Sequence, residues 1–158
     1  MRFMILSICL ALGLTANAAS ACTKPSNIAE LQAGILAGVN AERAERGLGK
    51  LTMNKALEKA AQGHACDNAA RKSISHDSSN GDTLKERLKK AGYRLRLAAE
   101  NTGRGFGTPE RAVAWWMNSP KHKDNILLGK ATQIGIGIAV SDAPDSKLHW
   151  ILNFGKPK

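Results

Sequence analysis

One stretch of this chain leaves little freedom in how it folds, because isoleucine alternates with glycine or alanine from Ile134 to Ala139. A period of two is typical of a β-strand with two different faces. A second β-rich run extends from Leu148 to Phe154, and the residues D-A-P-D-S between the two runs favour a turn. The sequence therefore predicts a β-hairpin in this part of the chain.

Upstream of the hairpin, apolar residues recur at the spacing of amphipathic helices, and capping residues mark where the helices begin and end. The predicted helices, in chain order, lie between Ser26 and Gly47, between about Asn54 and Lys72, between Thr83 and Gly92, from Thr108 through Trp116, and from Ser119 through Leu127. This order of elements predicts a single α+β domain, with helices packed on a small antiparallel sheet.

One more strand is predicted around Leu95 and Leu97, which alternate with arginines. Glu100 is placed just past this strand. The glycine-rich segment N-T-G-R-G-F-G at 101–107 lacks the Gly-Lys-Ser/Thr ending of a phosphate-binding loop. We therefore interpret it as a flexible loop at the rim of the domain.

Residues 1–21 have the composition of a secretory signal peptide, in which Arg2 precedes an apolar run and small residues follow. The apolar run is too short to span a bilayer. We therefore expect a secreted or periplasmic protein, with residues 22–158 as one domain and no transmembrane segment after cleavage. The alternative is lipid anchoring at Cys22, because a cysteine directly after Ala21 is also found at bacterial lipoprotein cleavage sites.

Cleavage would also remove Cys9 and leave two cysteines, Cys22 and Cys66, in an oxidising compartment. An even number of cysteines in such a compartment predicts a disulfide. The alternative is a pair of free thiols.

The chain is strongly basic, with 23 Lys and Arg against 13 Asp and Glu and a net charge of +10. Outside the cytoplasm, this charge favours anionic envelope polymers, lipid head groups or stray nucleic acid through non-specific electrostatics. Much of the charge is Lys on predicted helix exteriors, so a solvated surface is the alternative interpretation. No motif for specific nucleic-acid recognition is present in the sequence.

The residues best suited to chemistry are His76, Glu100 and His122, provided that the fold brings them into one cleft. Two imidazoles and a carboxylate are the ligand set of an open metal site. For Glu100 the alternative is a brace that holds a loop by hydrogen bonds, and for His122 it is a capping or packing role. His64 lies on the inward stripe of the second helix, so we interpret it as a core histidine bonded to a backbone group.

A series of motifs resembles the CAP superfamily (cysteine-rich secretory proteins, antigen 5 and pathogenesis-related proteins) in its compact bacterial form with an SCP-like extracellular domain. The similarity covers about residues 28–157. The motifs are V-N-A-E-R at 39–43, S-H at 75–76, A-G-Y at 91–93, A-E-N at 99–101, W-M-N-S-P-K-H-K-D-N-I-L at 116–127, I-G-I-G at 134–137 and W-I-L-N-F-G at 150–155. The resemblance implies an α-β-α sandwich, with the small antiparallel sheet between helix layers, and a cleft that holds a divalent metal through two His and two Glu.

On this sequence, the resemblance makes His76 the first His, Glu100 the Glu of the A-E-N motif, and His122 the second His. The second Glu of the larger relatives corresponds to Ser119. The resemblance therefore implies a three-ligand site for a divalent metal, most suitably zinc, that binds more weakly than a complete one.

Besides Ser119, three more residues are predicted at this cleft, namely Asn101, Asn125 and Trp115. Asn101 and Asn125 are interpreted as braces that hold the loops around it. Trp116 shares a helical stripe with Val113 and is expected in the core, whereas Trp115 points about 100° away and is the candidate for an exposed cleft wall.

Three functions are compatible with the sequence. We favour a secreted binding module whose cleft and basic surface engage a lipid, a glycan or an anionic envelope polymer. The alternative is a metal-dependent hydrolase, since an open divalent site activates water. The sequence has no H-E-x-x-H motif and no nucleophile motif to support it. A weaker alternative is a basic secreted effector or toxin.

Overall fold

A computed structural model describes residues 22–144 and 146–158. The predicted signal peptide, residues 1–21, lies outside the described residues. The elements are α1 Ile28–Ala44, β1 Thr52–Met53, α2 Lys55–Ala70, α3 Leu84–Lys90, β2 Leu95–Arg104, α4 Pro109–Met117, α5 Pro120–Ile126, β3 Gln133–Ala143 and β4 Ser146–Pro157. Each predicted helix is present, and the capping box between Thr83 and Glu86 forms at the start of α3. Within the described residues, no helix has the length and apolar character needed to cross a membrane.

The strands form one four-stranded sheet in the order β1-β3-β4-β2. The predicted hairpin is confirmed, because β3 and β4 pair antiparallel from Gln133 to Ala143. The sheet is mixed rather than purely antiparallel, since the two-residue strand β1 runs parallel to β3. Two residues are too few to show an alternation, so no sequence pattern indicates β1.

The strand predicted around Leu95 is much longer than expected. It runs to Arg104, so Glu100 lies inside β2 and pairs with Asn153 of β4, instead of lying just past the strand. Only the end of the segment 101–107 forms a loop. The prediction of a rim loop over the whole segment is therefore wrong.

Helices cover both faces of the sheet, and this confirms the predicted α+β sandwich. On one face, the isoleucines of β3 pack with α1 and α4 in a core that includes Trp116 and Trp150. On the other face, the alanines of α2 pack against Ala139 and Ile151. A Cβ atom at Gly135 or Gly137 would collide with the backbone of α2. The alternation of isoleucine and glycine therefore gives β3 one bulky face and one face on which a helix lies in close contact.

The predicted disulfide is present. Cys22 and Cys66 are bonded, with their Cα atoms 5.3 Å apart. Beside this link, the Val140 N–H donates to the Thr23 carbonyl at 2.8 Å. The segment that precedes α1 is thus held against α2 and the end of β3.

Candidate functional site

The candidate site is a pocket of about 460 Å³ between the loop after α2, strand β2 and helix α5. Its lining includes the three predicted metal ligands together with other polar residues: His76, Glu100, Ser119, Lys121, His122, Asp124 and Asn125. The fold thus brings His76, Glu100 and His122 into one cleft, although they are distant in the sequence.

Glu100 lies at the floor of this pocket with 6% of its surface exposed. Its Oε1 accepts a hydrogen bond from His76 Nδ1 at 2.9 Å, and its Oε2 accepts one from Arg87 Nη2 at 2.7 Å. With its amide nitrogen turned toward the carboxylate, Asn153 adds a donor to Oε2 at 3.0 Å. Both oxygens of the buried carboxylate are therefore engaged by the protein itself.

Arg87 is a site residue that has no counterpart among the sequence predictions. It extends from α3, is 8% exposed, and also donates to the His76 carbonyl at 2.7 Å and to the Asp82 carbonyl at 2.9 Å. The prediction of a solvated surface concerns the lysines on the helix exteriors and does not extend to this arginine. An arginine three residues after Leu84 and one before Leu88 lies on the inward stripe of the helix, and this spacing could have identified it.

His76 lies on the loop after α2, and 62% of its side chain is exposed. Because a carboxylate only accepts, the ring donates its Nδ1–H to Glu100. This hydrogen bond raises the pKa of His76 above the ordinary value of 6.5, despite partial burial of the ring and the nearby charge of Arg87. Its Nε2 atom has no hydrogen-bond partner among the described residues.

His122 approaches from the first turn of α5. Its Nδ1 lies 2.9 Å from Ser119 Oγ, and its Nε2 has no hydrogen-bond partner in the part of the chain that the structure describes. Burial, helped by the charge of His76, lowers the pKa of His122. The imidazole also contacts the indole of Trp115, with ring centroids 5.1 Å apart.

The two neighbouring tryptophans of α4 take different environments. Trp116 is fully buried and donates its indole N–H to the Thr102 carbonyl at 2.9 Å. Trp115 is 45% exposed and lies between the rings of Phe106 and His122. An exposed aromatic wall therefore adjoins the pocket.

Asn101 and Asn125 connect α5 to β2. Asn101 donates to the His122 carbonyl at 3.0 Å. The Asn125 amide donates to the Glu100 carbonyl at 3.1 Å and to Asn101 Oδ1 at 2.9 Å. These bonds set the position of His122 relative to Glu100.

His64 lies behind the pocket and is 1% exposed. Its Nε2 lies 2.7 Å from the Ser75 carbonyl, which fixes the tautomer with the proton on Nε2. Its Nε2 is also 3.9 Å from Glu100 Oε1. Burial lowers the pKa of His64 and outweighs the attraction of the nearby carboxylate. The predicted core histidine, bonded to a backbone carbonyl, is confirmed and anchors the loop that carries His76.

The donor set of the pocket suits a cation held by imidazole rather than a closed cage. Over residues 22–144 and 146–158, no group of three or more His, Cys, Asp or Glu is arranged to hold a metal ion. Each imidazole is oriented through its Nδ1, and its Nε2 has no hydrogen-bond partner among the described residues. A metal-binding histidine is commonly oriented in this way by a carboxylate or another polar group.

A family model, described as the cysteine-rich secretory protein family, matches residues 36–154 of the chain. The chain belongs to the CAP family. Its match to the Bacillus subtilis protein YkwD is 32% identical over 117 residues, which is 74% of this chain and 46% of YkwD. The chain therefore spans less than half the length of this relative.

Two solved bacterial structures share the fold. An outer surface protein from Borrelia burgdorferi has a TM-score of 0.74 and 25% identity, over 82% of this chain and 94% of that one. An extracellular SCP-domain protein from Bacillus anthracis has a TM-score of 0.67 and 26% identity, over 85% of this chain and 45% of that one. The chain is thus a CAP-domain protein of the extracellular type.

Proposed function

We propose that this CAP-domain protein is a secreted, non-catalytic binding module whose cleft holds a divalent cation through His76 and His122. In this proposal, the basic surface engages a lipid, a glycan or an anionic envelope polymer. The observation that supports a non-catalytic role is the bonding of Glu100. Its carboxylate is buried and bonded to both Arg87 and His76. A carboxylate whose two oxygens both accept hydrogen bonds from the protein is suited to holding its neighbours in position, as carboxylates do beside metal-binding histidines.

The hydrogen bonds support cation binding at the imidazoles. Glu100 fixes the His76 proton on Nδ1, which leaves the lone pair of Nε2 available whenever the ring is neutral. Burial lowers the pKa of His122 and so favours its neutral form, which is the form that can bind a metal. Zinc is the most suitable ion for two imidazole nitrogens, and a bound ion would supply an open coordination position for a ligand.

The pKa of His76 gives the cation site a pH dependence. Metal binding requires a neutral imidazole, and Glu100 favours the protonated form of this ring. Zinc affinity should therefore weaken as the pH falls through the raised pKa of His76. In Glu100→Gln, which removes the charge that raises this pKa, the weakening should begin at a lower pH.

Calorimetric titration with zinc tests the cation site. The His76→Ala, His122→Ala double variant should lose binding while it keeps its circular dichroism spectrum. Lys121→Ala is the matched control, because Lys121 lines the same pocket and offers no imidazole. Equal zinc affinity in the wild type and the double variant would show that the site lies elsewhere.

Substrate panels distinguish the binding module from a metal-dependent hydrolase. Zinc-loaded protein is incubated with peptide, ester and glycan substrates, and we expect no turnover. Turnover that is abolished by Glu100→Gln would overthrow the proposal in favour of the hydrolase. Toxicity of the purified protein toward competing cells would favour the effector alternative.

A further inference from the structure

A second groove, of about 470 Å³, lies where α3, the beginning of β2 and the end of β4 meet. Cationic side chains line it from three directions. Lys85 and Lys89 come from α3, Arg94 and Arg96 flank the first residue of β2, and Lys158 follows β4. No acidic residue is part of this lining in the described residues. We call these five residues the basic groove.

The positive charge of the basic groove exceeds the negative charge beside it. None of the five side chains forms an ion pair within residues 22–144 and 146–158. Asp82, just before α3, pairs with Lys90 at 2.6 Å, and Glu86 bonds to the neutral Thr83, so neither carboxylate is bonded to a cation of the basic groove. A concave surface with several unpaired cations attracts and concentrates anions.

Stabilisation of α3 accounts for only part of this charge. Lys89 is in the last turn of the helix, where a cation interacts favourably with the helix dipole. Arg94, Arg96 and Lys158 lie outside the helix and have no such role. Their backbone is fixed near the groove, since the Lys158 N–H donates to the Arg94 carbonyl at 2.9 Å.

The surroundings of the basic groove indicate the chemistry of its partner. Surfaces that bind membranes place apolar side chains beside basic ones, and the exposed large apolar residues Met53, Ile74 and Trp115 are all absent from this lining. Surfaces that bind single-stranded nucleic acid offer exposed aromatic rings for stacking. The aromatic residue here, Tyr93, is 5% exposed and donates its hydroxyl to Gln133 at 2.9 Å.

We propose that the basic groove binds a linear polyanion of repeated phosphate groups and recognises it through backbone charge alone. This inference rests on the binding-module function proposed above, and it specifies the place and the partner class for the basic surface. The site is separate from the His76 and His122 cleft, because the two pockets share no lining residue.

Fluorescence anisotropy with end-labelled inorganic polyphosphate tests this proposal. Five contacts to a flexible polyanion predict a slope of log affinity against log salt of about −3.5, so raising NaCl from about 50 mM to about 200 mM weakens binding about 100-fold. Arg94→Gln with Arg96→Gln should make this slope shallower by about 1.4 and weaken binding at low salt.

The matched control is Lys50→Gln with Lys130→Gln. Both residues are exposed, neither lines the basic groove, and neither forms an ion pair within the described residues. This variant lowers the net charge by the same amount and should keep wild-type affinity within about twofold, as expected when distant charges are screened. Equal losses in the two variants would mean that net charge alone attracts the polymer, and would overturn the proposal.

Three more arms ask whether a different surface or a different class of ligand accounts for the binding. The His76→Ala, His122→Ala variant should bind polyphosphate like wild type, so that failure of the cleft proposal leaves this result unchanged. Vesicles of phosphatidylcholine with phosphatidylglycerol should bind more weakly than polyphosphate, and tighter vesicle binding would assign the surface to a membrane. Single-stranded DNA that binds much more tightly than polyphosphate of equal charge would show recognition of bases and overturn the proposal.

Discussion

At the scale of single residues, the buried ion pair between Arg87 and Glu100 determines the character of the cleft. The A-E-N motif was enough to predict that Glu100 belongs to the site. The partner could not be predicted from composition, because Arg87 is one of four cations in a seven-residue helix and only its inward position distinguishes it. Whether a carboxylate is a free ligand or a neutralised brace depends on such a long-range contact.

Arg87→Leu should lower the free energy of unfolding by about 3–5 kcal/mol, because it leaves the buried Glu100 carboxylate without its charged partner. Arg46→Leu is the control. It removes an exposed i,i+4 pair with Glu42, and such a pair contributes less than about 1 kcal/mol. Urea unfolding of both variants measures the difference. Similar losses would mean that the contact with Glu100 contributes no more than a surface pair.

The buried ring of His64 predicts a loss of stability on acidification. Its folded-state pKa is below the ordinary 6.5, because burial disfavours the charged ring. As the pH falls through this ordinary value, the unfolded chain takes up a proton that the folded protein does not, so the free energy of unfolding decreases. His64→Gln can still donate to the Ser75 carbonyl and does not titrate. It should therefore lose less stability than wild type between about pH 7.5 and about pH 5.5, measured by urea unfolding at each pH. The same loss in both proteins would contradict this account.

At the scale of elements, the helices were predictable because each has its own capping residues and apolar stripe. Strand β2 was only half predicted, since Asn101, Thr102 and Gly103 have the composition of a loop. Their conformation is set by pairing with β4, a contact that no local pattern shows. Gly103 lies beneath the indole of Trp116, where an added Cβ would be 3.3 Å from the ring. The ring of Phe106 would be closer still, at 3.0 Å, so both rings would have to shift by a few tenths of an ångström and the packing favours the glycine that suggested a loop.

The close contact between β3 and α2 predicts opposite effects for two Gly→Ala substitutions. At Gly137, the new methyl group would collide with the backbone of Ala61, and overpacking of this kind costs about 1–3 kcal/mol or more. At Gly63, which is exposed on α2 with no atom within 4 Å of the added Cβ, the same change should stabilise by about 0.5–1 kcal/mol.

Thermal and urea unfolding of the two single variants measure these effects under identical conditions. The comparison separates the effect of packing from that of helix propensity, because each variant adds one methyl group. In Gly137→Ala the methyl group lies at the interface between β3 and α2, and in Gly63→Ala it lies on the exposed side of α2. A Gly137→Ala protein as stable as wild type would mean that α2 can move away from the sheet without cost.

At the scale of the whole molecule, the layered fold and the position of the cleft followed from a few ordered motifs. The amphipathic periods predicted the helices and the hairpin, and the resemblance placed them in a sandwich. The hydrogen-bond partner of the Glu100 carboxylate could not be predicted in this way. Arg87 bonds to Glu100 across 13 sequence positions, a contact that no local pattern shows, whereas Ser119 bonds to His122 within one motif.

The Cys22–Cys66 disulfide connects the segment before α1 to the layer formed by α2, and it closes a loop with a sequence separation of 44 residues. In the loop-entropy model, such a link stabilises the fold by roughly 3–4 kcal/mol, because it restricts the unfolded chain. The free energy of unfolding of the Cys22→Ser, Cys66→Ser double variant, measured with urea, should therefore be lower by that amount. Since neither cysteine lines the His76 and His122 cleft or the basic groove, zinc and polyphosphate affinities of the folded variant should stay at wild-type values. Loss of either affinity in a variant that remains folded would show that the link also shapes a binding surface, and unchanged stability would contradict the entropic role.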